Sequence, residues 1–398
     1  MVNLNDQELR EFFEKEVLFT NEATKLLGIS SQRLNQLVQS GKITPLKSSR
    51  SGTLYLKSDI EIRKRELKTN MNKEDIIQTR FNNDTSIIEE ATNYFTIHYL
   101  CNHSDVKTRT IFEELELYIE VSVPFASQID EISKLTGFSK ESILSANNIV
   151  NEGLKKLHDS DYIVKVGQSA YPSLLEKTAN APRFLFMRGN VELLHYPTIS
   201  IVGTRNPSED GKKRAQTLAS ILGKHKIVVA SGLAKGIDRA AHEGAILANK
   251  PTIGVIGTPL TKSYPKENSE IQEEISQKFL LISQFAPSTP VQKWNFPARN
   301  AVMSGISLAT VIIEAGETSG ALIQANHALK QGRLVFIPQS ALNDSRLSWP
   351  KRYIHKSGAH SFSKIDELLG QLQQANLLRE SEEVEQIQIG AQHVYRDK

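Results

Sequence analysis

Short apolar runs recur between Thr198 and Gly332, and each is followed by a turn or by a segment of helix length. The runs are rich in Val and Ile and do not alternate with polar residues, which is typical of strands buried on both faces of a sheet. The pattern therefore predicts a doubly wound, mainly parallel α/β sheet. Its strands are predicted at Thr198–Gly203, Lys226–Ser231, Thr252–Ile256, Phe279–Ser283, Thr310–Glu314 and Leu334–Ile337.

The turns after these runs carry residues that suit phosphate groups. In doubly wound sheets, ligands bind at the carboxyl ends of the strands, where helices begin. Glycines allow a ligand to approach the backbone, and Arg205 and Lys235 add positive charge. The sequence therefore predicts a phosphate site at this edge. Its turns contain Gly203, Thr204 and Arg205, then Ser231, Gly232 and Lys235, then Gly257 and Thr258, and finally Ser319 and Gly320.

Residues 1–68 are predicted to form a separate module. Helical spacing over Phe19–Ile29 and Ser30–Val38, with Gly28 between them, indicates two helices joined by a tight turn. The basic turn Lys47–Gly52, flanked by short apolar segments, indicates a wing hairpin. The module resembles the winged helix-turn-helix of excisionase and MerR-type proteins, in which the second helix enters a major groove.

That resemblance implies a duplex-binding surface, with four polar residues facing the bases and two cations on the phosphates. A surplus of basic residues in the stretch favours DNA. The alternative is a helical adaptor that binds protein. The implied duplex contacts are Gln32, Arg33, Asn35, Gln36, Lys47 and Arg50.

The remaining segments are predicted from weaker patterns. Residues 69–158 form a mainly helical middle region, residues 159–370 contain the sheet, and residues 371–398 form a polar tail. His98, Cys101 and His103 lie close together in the middle region. Three such residues without further ligands at standard spacing are typical of a structural role, so we predict no metal site.

Composition adds limits to the possible functions. The chain has 398 residues, a formal net charge of +3 and one cysteine, Cys101. The charge is a weak indication of nucleic acid, and a single cysteine excludes an internal disulfide. The amino terminus has no secretion pattern and no apolar run approaches the length of a membrane span. We therefore expect a soluble, cytoplasmic protein.

Several motifs closely resemble the DprA/Smf family of DNA-processing proteins over about residues 160–370. They occur in the order and at the spacing that are usual in this family. The motifs are Tyr171-Pro172, Ala181 to Asn190, Ile201 to Ser208, Ser231 to His242, Tyr264 to Asn268, Asn295 to Asn300 and Ser319 to Ile323.

The resemblance implies a Rossmann-like domain that binds single-stranded DNA, forms a homodimer and loads a RecA-type recombinase during natural transformation. No cofactor is implied. Exposed strand-end loops favour phosphate contacts for Arg205, Lys235 and Arg299, whereas His242 is predicted on the outer face of its helix. For Gly203, Gly236 and Asp238, a role in the turn, in helix packing or in helix capping is an equal alternative to ligand contact. Carried over by motif, the single-strand site comprises Gly203, Thr204, Arg205, Ser231, Gly232, Lys235, Gly236, Asp238, Arg299, Asn300, Ser319 and Gly320.

The chain also departs from the family pattern. Ala301 follows Asn300 where a second arginine is usual, which lowers the expected DNA affinity by on the order of 1 kcal/mol. Gln339 after Pro338 replaces a usual glycine. The winged module precedes the sheet, and the polar tail is too short for the winged helix that many members carry there. This arrangement suggests a specialised relative, in a mobile element or in phage defence.

An enzymatic alternative remains open at this stage. Lysine-decarboxylase-like nucleotide hydrolases have a sheet of the same style, with a Pro-Gly-Gly-x-Gly-Thr loop and a catalytic glutamate. The corresponding segment here, Glu314 to Gly320, lacks that loop but offers the carboxylates of Glu314 and Glu317. We predict that the chain is not an enzyme, and a nucleotide-sensing or nucleotide-hydrolysing protein is the alternative.

Overall fold

The computed structural model describes residues 16–27, 34, 37–38, 43–49, 52–61 and 85–378. Contacts within the chain divide it into two compact units, Met1–Arg80 and Phe81–Lys398. The helices that precede the sheet thus belong to the same unit as the sheet, and the finer boundaries at residues 68, 158 and 370 stay predictions. Among the described residues, no helix combines the length and the apolar character needed to cross a membrane.

The first unit contains a small antiparallel sheet. Strand β1 (Val17–Phe19) pairs with β3 (Gly52–Leu56), which also pairs with β2 (Lys47–Ser49). The β2–β3 hairpin lies where the sequence predicts a wing. Helix α1 (Thr20–Leu27) buries Ala23 in an apolar core. The predicted second helix lies largely outside the described residues, so the helix-turn-helix assignment stays a prediction.

Four helices precede the main sheet and share a hydrophobic core with it. The rings of Tyr94 and Phe95 pack against Phe184 in that core. The buried carboxylate of Glu90 also pairs with Lys165 and Arg183, at 2.7 and 2.6 Å. Apolar burial and ion pairing therefore fix these helices against the sheet. They are α2 (Thr85–Leu100), α3 (Asp105–Leu115), α4 (Ile129–Thr136) and α5 (Lys140–Leu154).

The main sheet has nine strands in the order β12-β11-β10-β6-β7-β8-β9-β5-β4. All six predicted strands are present and parallel, whereas β4 and β5, which sequence patterns did not resolve as strands, form an antiparallel edge. The strands are β4 (Tyr162–Lys165), β5 (Phe184–Gly189), β6 (Thr198–Val202), β7 (Val228–Ser231), β8 (Thr252–Val255), β9 (Leu280–Ser283), β10 (Ala309–Ile312), β11 (Leu334–Pro338) and β12 (Ala359–Phe362).

The chain changes direction between β6 and β10. It runs outward from β6 through β7, β8 and β9, and then crosses back so that β10 pairs with the other side of β6. Such a switch point opens a crevice at the carboxyl ends of the two strands, which is where ligands of this fold class bind. The fold therefore places the β6 and β10 turns at the centre of the candidate site.

Helices cover both faces of the sheet, as alternation along β6 requires. Ile199 and Ile201 are buried in one apolar cluster, whereas the hydroxyl of Ser200 between them faces Ser307, with 2.6 Å between the oxygens. The remaining helices are α6 (Ser173–Glu176), α7 (Glu209–Lys224), α8 (Ile237–Leu247), α9 (Ser269–Lys278), α10 (Asn295–Gly305), α11 (Gly320–Lys330), α12 (Gln339–Asn343), α13 (Trp349–Ile354) and α14 (Ile365–Gln374).

Candidate nucleic-acid interface

Two glycines bring the turn after β6 against the start of α8. A Cβ atom on Gly203 would lie 2.5 Å from Cγ1 of Ile237, and one on Gly236 would lie 2.5 Å from the carbonyl oxygen of Thr204. Gly236 also has φ +81°, a left-handed conformation that favours glycine. The amide of Ile237 donates to the same Thr204 carbonyl at 3.2 Å. These glycines therefore fix the two loops against each other.

A buried polar network lies beneath the two loops. Arg299 is only 6% exposed, and its Nη1 donates to the carbonyl oxygens of Gly232 and of Val255, the latter at 2.6 Å. Asp238 is equally buried and accepts the Gly232 amide at 3.2 Å. A Cβ atom on Gly232 would collide with the guanidinium of Arg299. The network therefore requires glycine at position 232.

Burial and charge act in opposite directions on this network. Burial raises the pKa of the Asp238 carboxyl, and the Arg299 guanidinium and two backbone amides oppose that rise. Burial likewise lowers the pKa of Arg299, and Asp238 opposes that change. The sequence placed Arg299 among exposed cations, but the structure buries it, because the protein's own carbonyl oxygens and Asp238 compensate the desolvated charge.

Ser231 is also part of the protein's internal bonding. Its side chain is fully buried, and its hydroxyl donates to the carbonyl of Ile201 at 2.7 Å. This bond joins β7 to β6 and leaves the hydroxyl pointing into the sheet. Ser231 therefore supports the turn that follows β7.

Two predicted cations are accessible at the strand ends. Arg205 is exposed and forms no ion pair with any carboxylate of the described part of the chain. The Nζ atom of Lys235, whose side chain is 51% exposed, lies 2.6 Å from the Glu267 carboxylate. An exposed pair of this kind contributes little stability, so a phosphate can displace Glu267 from Lys235 at small cost.

The loop after β10 carries the other predicted residues. Ser319 begins α11, and its hydroxyl oxygen accepts the amide of Ala321 at 3.3 Å. The side-chain amide of Asn300 donates to the carbonyl of Gly320 at 3.4 Å and so connects α10 to this loop. The space around Gly320 is open, because a Cβ atom there would meet no other atom within 4 Å. Gly320 is thus the accessible member of this group.

The carboxylates that a hydrolase would need are both engaged at helix starts. Glu314 accepts the amide and the hydroxyl of Ser208, at 2.8 and 2.6 Å, where α7 begins. Glu317 accepts the amide and the hydroxyl of Ser348, at 2.6 and 2.8 Å, before α13. The hydrogen bonds from Ser348 hold the pKa of Glu317 below its ordinary value. Both carboxylates are therefore engaged in hydrogen bonds within the protein.

An aromatic pair at the same edge was not assigned a role from the sequence. The Tyr264 ring is 50% exposed, and its centroid lies 5.3 Å from that of Phe296. Phe296 packs over Gly257 at the end of β8, and the exposed Lys293 precedes it by three residues. Exposed rings beside cations are typical of surfaces that bind single-stranded nucleic acid. The sequence features that could have indicated this pair are the segments Tyr264-Pro265 and Asn295-Phe296-Pro297.

Three histidines lie in structural surroundings. His242 is fully buried beside the hydroxyl of Thr252 at 2.8 Å, and burial lowers its pKa to about 3. The prediction that it lies on the outer face of its helix is therefore wrong. His98 pairs with Asp105 at 3.2 Å, and burial lowers the pKa of His103 to about 4. Among the described residues, no group of three or more potential ligands is arranged to bind a metal ion.

One of the six predicted duplex contacts, Lys47, lies in the described part of the chain. Lys47 lies exposed in β2. The other five residues, Gln32, Arg33, Asn35, Gln36 and Arg50, lie outside the described residues. The duplex-binding surface of the first unit therefore stays a prediction.

Comparisons with known proteins agree with this fold and its motifs. The chain is 35% identical to the DNA processing protein DprA of Bacillus subtilis over 215 residues, which cover 54% of this chain and 72% of that protein. It is 40% identical to DprA of Streptococcus pneumoniae over 174 residues, or 44% of this chain and 61% of that protein. The X-ray structure of the S. pneumoniae protein matches with a TM-score of 0.56 at 26% identity, covering 75% of this chain and 98% of that one.

The resemblance of residues 160–370 to the DprA/Smf family is therefore confirmed. The family model described as DNA recombination-mediator protein A matches residues 162–373, which include the main sheet and every turn of the candidate site. This chain belongs to the DNA recombination-mediator protein A family, the DprA/Smf proteins.

Proposed function

We propose that the chain binds single-stranded DNA along the carboxyl edge of its main sheet and delivers the strand to a RecA-type recombinase. The observation that carries this proposal is the placing of Arg205 and Lys235. Both cations are exposed on loops beside the switch point, above the rigid buried network of Arg299 and Asp238. Exposed cations at the strand ends suit the phosphates of a flexible strand, and the exposed ring of Tyr264 suits stacking with an unpaired base.

Membership of the family supports the nature of the ligand. The relatives are named DNA processing proteins, and the family is described as a recombination mediator. Backbone contacts carry no base information, so binding should depend strongly on salt and weakly on sequence. In this proposal two copies of the chain associate and lengthen the track, and the first unit adds a contact to duplex DNA or to a partner. The role is non-enzymatic.

A nucleotide-hydrolysing or nucleotide-sensing protein is the less favoured alternative. Such a protein needs a free carboxylate and an open anion site at the switch point. Both candidate carboxylates, Glu314 and Glu317, instead accept hydrogen bonds at helix starts. A cavity of about 440 Å³ between α11 and α13 has neither Arg205 nor Lys235 in its lining.

The test is an anisotropy titration of a labelled thymidine oligonucleotide with the parent and with the double variant Arg205→Ala, Lys235→Ala. Loss of two phosphate contacts should weaken binding about 10- to 100-fold and reduce the slope of log K against log salt by about 1.4. The matched control is Arg346→Ala, Lys278→Ala, which removes two exposed ion-paired cations elsewhere and changes the charge equally.

The proposed site fails if the double variant binds the oligonucleotide as tightly as the control at equal salt. Duplex and a mononucleotide serve as competitors in the same titration. Competition by the mononucleotide at low concentration, or its turnover, would support the alternative.

A further inference from the structure

One residue on β10's exit loop binds both ends of the loop that carries Arg205. The backbone carbonyl of Glu314 accepts the amide of Thr204 at 2.7 Å. Its carboxylate accepts the amide and the hydroxyl of Ser208, at 2.8 and 2.6 Å. Arg205 lies between these two anchored positions, so the conformation of its loop depends directly on Glu314.

The same carboxylate occupies the place of an anion at the start of α7. Ser208 begins this helix, and its hydroxyl oxygen accepts the amide of Gly211 at 3.0 Å. The Glu314 carboxylate fills the space that a Cβ atom on Gly211 would need, and Arg214 approaches it at 3.1 Å. Amide, hydroxyl and guanidinium donors converge here at the switch point of the sheet, where this fold class binds phosphate.

We propose that Glu314 is a specificity-determining residue that takes the place of a nucleotide phosphate. Its negative charge satisfies the helix start and Arg214, so a mononucleotide phosphate has no open anion position at the switch point. Its hydrogen bonds to Thr204 and Ser208 hold the loop in which Arg205 is exposed to the backbone of a longer strand. The second part of this inference rests on the proposed function, whereas the first part, occupancy of the anion position, does not.

The chain offers a matched control on the same loop. Glu317 also accepts a serine amide and hydroxyl and pairs with an arginine, Arg352, at 2.8 Å. Glu317 binds the start of α13, a short helix that is distant in sequence from the loop of Arg205. Loss of Glu317 therefore removes an equivalent set of contacts without releasing that loop.

The experiment compares the parent with Glu314→Ala, Glu314→Gln and Glu317→Ala, after circular dichroism has established that each is folded. Oligonucleotide affinity is measured by anisotropy, and inorganic phosphate binding by the shift in melting temperature. We expect Glu314→Ala to lose about tenfold in oligonucleotide affinity, since Arg205 is no longer positioned. We also expect phosphate to raise the melting temperature of this variant by about 2 °C more than that of the parent.

The variant Glu314→Gln separates the hydrogen-bonding role of Glu314 from its negative charge. Glu314→Gln keeps an acceptor for Ser208 and should recover part of the oligonucleotide affinity, and it serves as the test if Glu314→Ala does not fold. Glu317→Ala should match the parent in oligonucleotide affinity, since the hydrogen bonds of Glu317 do not reach the loop of Arg205.

Parental oligonucleotide affinity in folded Glu314→Ala and Glu314→Gln would overturn the positioning role. The absence of any added phosphate stabilisation in Glu314→Ala would overturn the occupancy. If the parent itself binds no oligonucleotide, the proposed function fails, and the phosphate measurement still decides whether Glu314 fills the anion position.

Discussion

Replacement of Arg299 by methionine should destabilise the second unit rather than only weaken DNA binding. The Arg299 guanidinium is buried, donates to two carbonyl oxygens and offsets the charge of the buried Asp238 carboxylate. Methionine fills a similar volume, so the main cost is a buried carboxylate and two carbonyl oxygens that lose a partner. Arg299 and Asp238 interact through their charges without a direct ion pair, and leaving a buried charge without compensation typically costs up to about 3 to 5 kcal/mol. We expect a loss near the lower value, because backbone amides still bind Asp238.

The assay is urea unfolding followed by tryptophan fluorescence. The chain has two tryptophans, Trp294 and Trp349, and both lie in the second unit, so the signal reports that unit. The control is Arg346→Met, which removes an 86%-exposed arginine side chain and should change the free energy of unfolding by at most about 0.5 kcal/mol.

Lowering the pH should reduce the loss of unfolding free energy that Arg299→Met causes. Burial already raises the folded-state pKa of Asp238, and the loss of Arg299 raises it further. A carboxyl with a raised folded-state pKa lowers the free energy of unfolding as pH rises through that pKa. The difference between parent and variant should therefore shrink as pH falls. An unfolding free energy within about 0.5 kcal/mol of the parent at neutral pH would refute the assignment of Arg299 to the structural network.

Three further predictions concern other positions. Burial lowers the pKa of His242 to about 3. The stability that the neutral imidazole contributes is therefore fully present above its unfolded pKa, and it is lost as pH falls from about 6.5 toward 3. His242→Asn should therefore reduce the pH dependence of the unfolding free energy by up to about 1.4 kcal/mol per pH unit between pH 6 and 4, and equal slopes would contradict this. Gly232→Ala should cost about 2 kcal/mol in urea unfolding, since its methyl group displaces the Arg299 guanidinium, whereas the open site Gly320 should tolerate alanine with a smaller loss. Arg33→Ala should weaken duplex binding at low salt and leave oligonucleotide affinity unchanged; a duplex affinity equal to that of the parent would favour the protein-binding adaptor.

Local patterns were sufficient for six of the parallel strands, but they did not predict β12, the partly exposed strand that pairs in parallel with β11 at the edge of the sheet. The runs around β6, β7 and β10 are continuous and apolar because both faces of each strand are covered. Burial of this kind can be predicted from the residue types of the run alone. The edge strands β4 and β5 were not resolved in this way. β4 pairs only with β5, and β5 joins the sheet through β9, which lies far along the chain. Phe184 and Phe186 of β5 also share a hydrophobic core with the four helices that precede the sheet.

The sequence by itself determined the family and predicted which residues lie in the turns at the strand ends. Only the tertiary structure decided which of those residues face solvent. Arg205, Lys235 and Arg299 are alike as cations near glycine-rich turns. Arg299, however, is buried and donates to carbonyl oxygens at the end of β8 and in the loop after β7, and its charge is offset by Asp238. The cost of burying a charge depends on partners brought together from distant segments, and local sequence does not reveal them. Local sequence likewise does not reveal that Glu314 binds the start of α7, because the pairing of β10 with β6 brings these distant segments together.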